Sequence, residues 1–142
     1  MTDIELQQKL EDLSLPFEQW THRGHVRIAY CYLQQHGLPQ ALNRVRAAIK
    51  AYNAHHRLPE GPTSGYNETT TVAFVRLIDA TMRAYGPAMP TADSEAFCDM
   101  HPHLLHRQVL RLFYSPKHRM RPDAKSTFVE PDLTAFPEVP PG

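Results

Sequence analysis

His22 and His25 stand three residues apart in the run PFEQWTHRGHV, with Glu18 four residues before His22 and Trp20 between them. On a helix, positions three and four apart share a face, so a continuous helix through this run gathers Glu18, His22 and His25 into one stripe. A buried imidazole needs a partner for each ring nitrogen, and a buried carboxylate needs a cation or donors. One divalent metal ion satisfies all three groups, as in helical bundles that hold metals on inward His and carboxylate side chains. The plainer alternative is a pair of core histidines hydrogen-bonded to backbone.

A second group is Gly65-Tyr66-Asn67-Glu68-Thr69, at a passage from loop to helix. Asn67 suits an N-cap, and Glu68 suits the first turn, where the helix dipole favours an anion. Extending the apolar stripe of the following helix backward places Asn67 and Thr71 within it and Glu68 at its edge. A helix N-terminus with inward polar groups also makes a lip for an anion. Capping alone does not explain the large aromatic Tyr66 before the cap.

Other clusters say less. His56 follows Tyr52 by one turn and sits close to an apolar stripe, but a histidine at a helix C-terminus is also explained by the helix dipole. Cys98-x-x-His101-x-His103-x-x-His106 carries metal-ligand types. The leucines after Pro102 suit a packing helix better, with Leu105, Val109 and Leu112 inward. Arg44, Arg46, Lys50, Lys117, His118, Arg119 and Arg121 are expected as solvated faces or clamps for acidic residues. No Ser-His-Asp order, P-loop or dinucleotide fingerprint is present.

The elements that must position these groups read as helices. Apolar residues recur at helical spacing through the first 114 positions, with no competing strict alternation. Helices are expected over 3–13, from Pro16 or Phe17 to His36, from Leu38 or Pro39 to His56, over 67–85, 91–99 and 103–114. On the second helix Gln19, Arg23, Arg27, Tyr30 and Gln34 are expected to face water, opposite His22, His25 and Tyr32. On the fourth, Phe74, Val75, Ile78, Met82 and Tyr85 are expected inward. After Ser115 the character changes. Six of the thirteen prolines fall there, with Phe128, Val129, Leu133 and Phe136 as apolar anchors. The expectation is an all-α fold, a single helical-bundle domain over 1–114 with a proline-rich extended C-terminal strap over 115–142 packed on it.

The chain has 142 residues, one domain's worth, and its fifteen basic residues balance fifteen acidic ones. That balance argues against a nucleic-acid partner, which needs a surplus of Lys and Arg. No apolar run is long enough to span a bilayer, so no membrane insertion is expected. The acidic, amphipathic start MTDIELQQKLEDL is no signal peptide, and Cys31 and Cys98 form no disulfide framework, so a cytoplasmic location is expected. Two-fold pairing is the commonest assembly of soluble chains, which makes a homodimer the expected form of any self-association, though no seam is visible.

Taken together, W-T-H-R-G-H-V, the A-Y-N near Asn53, G-Y-N-E-T-T-T-x-A-F, F-Y-S-P and F-V-E-P-D-L resemble a family of small bacterial all-helical proteins without an established activity. Similar members read W-x-H-x-x-H-L and G-Y-H-E-T. The resemblance implies a shared site of His22, His25, Glu68 and position 67. This chain has Asn67 where the family has histidine, and an amide oxygen is the weaker ligand for zinc, iron, nickel or copper. The site is therefore expected to be weakened, retuned or emptied of metal.

Three functions follow as expectations. The first is an enzyme or former enzyme with an interior site between the second and fourth helices. His22, His25 and Glu68 would hold one divalent ion (Zn, Fe, Ni or Mn), with Asn67 and Glu18 beside them and Tyr66, Tyr52 and Trp20 shaping an apolar pocket. Such an ion would generate hydroxide or polarise a carbonyl. The second is a metal-free pocket for a small anion or metabolite, with His22, His25 and Asn67 as donors. The third is a structural or interaction protein with core histidines.

Overall fold

Side-chain caps decide where most of the helices begin. In the computed structural model, which describes residues 1–140, Thr2 Oγ1 accepts from Glu5 N at 3.2 Å and opens α1 (Asp3–Glu11). Thr21 Oγ1 accepts from Gly24 N at 3.2 Å and opens α2 (His22–Gln35). Asn67 Oδ1 accepts from Thr70 N at 2.9 Å and opens α4 (Glu68–Tyr85). Asp93 Oδ1 accepts from Ala96 N at 2.8 Å and opens α5 (Ser94–Met100). α3 (Leu38–His55) has no side-chain cap and uses Pro39 in its first turn, where a missing N–H is no loss.

The protein is all-α, one helical domain. α2 is its central element, in contact with α1, α3, α4 and α5. Leu6, Leu10, Ile28, Tyr52, Val75, Ile78, Leu104, Leu110 and Tyr114 are all buried in one core. Among the described residues, no helix is long and apolar enough to cross a membrane. Cys31 and Cys98 are free and buried, and burial pushes the Cys98 thiol up to about 11.

Several expectations need correction. The second helix does not start at Pro16 or Phe17. Phe17–Gln19 forms a single 3₁₀ turn, Trp20 breaks away, and the Thr21 cap starts the α-helix only at His22. The turn folds tightly onto the helix, so that a Cβ on Gly24 would lie 3.0 Å from the Gln19 carbonyl oxygen. Arg27 and Tyr30 do not face water. Both are buried, because α1 and α5 cover that side of α2. Tyr85, expected inward, is 47% exposed at the end of α4, and Leu112 is 66% exposed. The segment after α5 is not a continuous α-helix but two 3₁₀ stretches, Pro102–Leu105 and Arg107–Leu112, with the chain extended at His106 between them.

The C-terminal segment begins with α6 (Pro116–Arg119) and a 3₁₀ turn, Pro122–Lys125, before it extends. It is tied down by side chains. Thr69 Oγ1 donates to the Ala124 carbonyl at 2.7 Å, Tyr114 Oη donates to the Val129 carbonyl at 2.7 Å, and Ser115 Oγ donates to Asp132 Oδ2 at 2.6 Å. Val129 and Phe136 pack on the core, while Leu133 is exposed. Phe128 lies under the Arg76 guanidinium, 4.7 Å from it. The expected end of the strap, Pro141 and Gly142, lies outside the described residues.

Candidate functional site

The N-terminal turns of α2 and α4 converge on a cavity of about 300 Å³. His22 and His25 face it from α2; Tyr66, Asn67, Thr70 and Thr71 face it from the start of α4 and the loop before it. Val26, Ile49, Phe74, Val75 and Ile78 give it an apolar floor. Its remaining wall comes from far along the chain, where Arg107 and Arg119 enter. Among the described residues, no Asp or Glu lines it.

Both histidines are held by backbone. His22 Nε2–H donates to the Leu104 carbonyl at 2.9 Å, and His25 Nδ1–H donates to the Thr21 carbonyl at 2.7 Å. A carbonyl only accepts, so each bond assigns the tautomer. In the neutral rings the free nitrogens are therefore His22 Nδ1 and His25 Nε2, and both are acceptors. The expectation that the neutral histidines donate to a ligand is corrected: each N–H is already engaged. Asn67 Oδ1 is likewise engaged with Thr70 N, which leaves its amide NH₂ as the group able to donate.

The rings are also kept neutral. Burial lowers the pKa of His25 to about 4, with the charges of His22 and Arg107 adding to the shift and the Thr21 bond opposing it. His22 is lowered for the same first reason, with Arg107 and His106 adding to it. His25 stacks on the Trp20 ring at 3.8 Å, and His22 meets Phe74 edge-on at 4.7 Å.

The two arginines lack carboxylate partners. Neither Arg107 nor Arg119 forms an ion pair among the described residues. Arg119 Nη2 donates to Thr70 Oγ1 at 3.2 Å, a neutral acceptor. Burial, then the charges of Arg107 and Arg111, lowers the Arg119 pKa from its ordinary value. A guanidinium stays protonated despite such a shift, so the cavity carries positive charge that no carboxylate among the described residues pairs with.

The other expected site residues go elsewhere. Glu68 turns away from the histidines: Arg46 Nε donates to both of its carboxylate oxygens at 3.0 and 2.9 Å, and Tyr66 Oη donates to Oε1. Burial pushes the Glu68 carboxyl up, but Arg46 and Tyr66 outweigh it and hold the carboxyl below the usual range. Trp20 and Tyr52 are buried behind the cavity wall, with Tyr52 Oη donating to the Leu15 carbonyl at 2.9 Å. Glu18, on the 3₁₀ turn, is exposed. His22, His25, Tyr66 and Asn67 are thus brought together, whereas Glu18, Trp20, Tyr52 and Glu68 are not. Among the described residues, no three His, Cys, Asp or Glu side chains are grouped to hold a metal ion. That statement includes the cluster of Cys98, His101, His103 and His106.

Arg107, Arg119, Asn53 and Thr70 also line the cavity and were not expected in the site. Arg119 stood among basic residues read as solvated faces or clamps. Its neighbours do behave so: Arg121 pairs with Asp123 at 2.8 Å and Lys125 with Glu60 at 3.2 Å. The missing signal was acidic rather than basic, because no carboxylate pairs with Arg119 among the described residues. The chain matches no family model, no curated protein and no solved structure, so the resemblance of its motifs to a bacterial family rests on those motifs alone.

Proposed function

We propose that the protein binds a small anionic molecule in the cavity between the starts of α2 and α4. One observation carries this: two arginines without carboxylate partners face a cavity that no Asp or Glu lines, among the described residues. Arg107 and Arg119 supply charge and directed N–H groups for a carboxylate or phosphate. The Asn67 amide and the α4 N-terminus add donors on the adjoining wall. His22 Nδ1 and His25 Nε2 accept a hydrogen bond from any hydroxyl or amine the ligand carries. A ligand that binds only the folded chain raises its melting temperature with concentration. The test is thermal denaturation of the wild type and of an Arg107→Gln/Arg119→Gln variant with small carboxylates and inorganic phosphate. A concentration-dependent rise that the variant loses supports the proposal; no rise with any anion, or an equal rise in the variant, overturns it.

A divalent metal on His22 and His25 is the second reading. It is favoured by the two bare ring nitrogens, whose partner N–H groups are oriented by carbonyls as in metal-ligating histidines. The uncompensated arginine charge and the engagement of Glu68 with Arg46 weigh against it. Elemental mass spectrometry of tag-free wild type beside His25→Ala tests it. Near-stoichiometric metal lost in the variant supports it, and trace metal in both overturns it.

A further inference from the structure

Building on the anion-binding reading, we infer that the ligand is a phosphate monoester of a small apolar alcohol. Three features of the cavity converge on that class. First, its charge calls for more than one negative group. Arg107 and Arg119 bring two positive charges, and a monocarboxylate neutralises only one of them. A ligand with two negative charges meets both guanidinium groups at once, so it is preferred to one that meets a single charge. A phosphate monoester carries close to two negative charges near neutral pH and offers three acceptor oxygens.

Second, the cavity is lined by both positive and apolar side chains. Arg107 and Arg119 come from the Arg107–Leu112 stretch and from α6, while Ile49, Phe74, Val75 and Ile78 come from α3 and α4. A dicarboxylate must keep both charged ends at the arginines, leaving the apolar floor bare or wet. A monoester concentrates both charges on one headgroup and sends its organic part to the floor. Third, at about 300 Å³ the cavity lies at the lower end of small-molecule sites, which span roughly 300–1,000 Å³. That suits a single ring or a short chain beside a phosphate.

Calorimetry on the full chain separates this inference from the reading beneath it, using phenyl phosphate, inorganic phosphate and benzoate as probes. Phenyl phosphate is expected to bind at least about tenfold more tightly than either of the others, since each lacks the apolar body or the second charge. Arg119→Gln should weaken phenyl phosphate at least about tenfold while its circular dichroism stays native, and Arg121→Gln, whose arginine already pairs with Asp123, should leave binding unchanged. Benzoate equal to phenyl phosphate overturns the dianion assignment but leaves an anion site. Inorganic phosphate equal to phenyl phosphate overturns the role of the apolar floor. Binding of none of the three overturns both the inference and the anion site, and unchanged binding in Arg119→Gln moves the ligand out of this cavity.

Discussion

Two flanks of α2 meet arginines, and they treat them in opposite ways. On the flank facing α1 and α5, Arg27 is 8% exposed and fully engaged. Its Nε donates to Ser94 Oγ at 2.7 Å and lies 3.2 Å from Glu95 Oε1; its Nη2 reaches the Met1 carbonyl at 2.7 Å and Asp3 Oδ1 at 3.3 Å. Asp3 also accepts from Ser94, so three segments distant in sequence are joined by one closed network. On the flank facing α4, Arg119 has a threonine hydroxyl and another arginine for company. The first arrangement satisfies its charges within the fold and serves stability. The second leaves charge unsatisfied, and such charge persists where a ligand completes it.

The comparison is broken most forcefully at Arg27. Arg27→Met should cost about 3 kcal/mol, the low end for removing one partner of a buried ion pair, because Asp3 and Glu95 retain partial access to water. Urea denaturation measures it, and a loss below about 1 kcal/mol would deny that the network is structural. Acid should act next, on the other flank. The folded-state pKa of His25 is depressed from 6.5 to about 4, so in this window the unfolded chain binds more protons than the folded one. Its contribution is whole above the unfolded value and is lost as pH falls toward the folded one. Between pH 7 and 5 that amounts to about 2 kcal/mol, to be read by denaturation at the two pH values. His25→Phe should flatten the dependence; an unaltered slope would place its origin elsewhere.

Smaller effects sharpen the contrast. Asn67→Ala removes the cap of α4 and should cost about 1 kcal/mol, while Asn67→Asp keeps the cap and places a negative charge in the cavity. Asp at this position should therefore preserve the melting temperature of the free chain and suppress stabilisation by phosphate. Arg119→Gln should change the stability of the free chain by less than about 0.5 kcal/mol, or raise it slightly, since it removes a charge that the fold does not pair. A loss comparable to that of Arg27→Met would mean that the two flanks are alike after all.

How much of this was legible in the sequence differs from element to element. The stripes of α3 and α4 are periodic, so Val45, Ile49, Val75 and Ile78 are buried as their spacing requires. Asn67 is the cap that its position before Glu68 suggests. The start of α2 was not legible, because Pro16 and Phe17 suit a first turn as well as Thr21 suits a cap. The same apolar pattern fits both, and a start five or six residues later takes Glu18 and Trp20 off the helix altogether. His22 and His25 kept their place in the site because both lie beyond the disputed turn.

By itself the sequence determined the all-α class and the helices that carry His22, His25 and Asn67. Those are consequences of spacing and of local backbone chemistry, which act over a few residues. Only the tertiary structure decided which charges find partners. It gave Asp3 and Glu95 to Arg27, gave Glu68 to Arg46, and left Arg107 and Arg119 with His22 and His25 around one cavity. Complementarity of that kind is set by distances between residues that lie from 22 to 82 positions apart in the chain, and no local pattern encodes them.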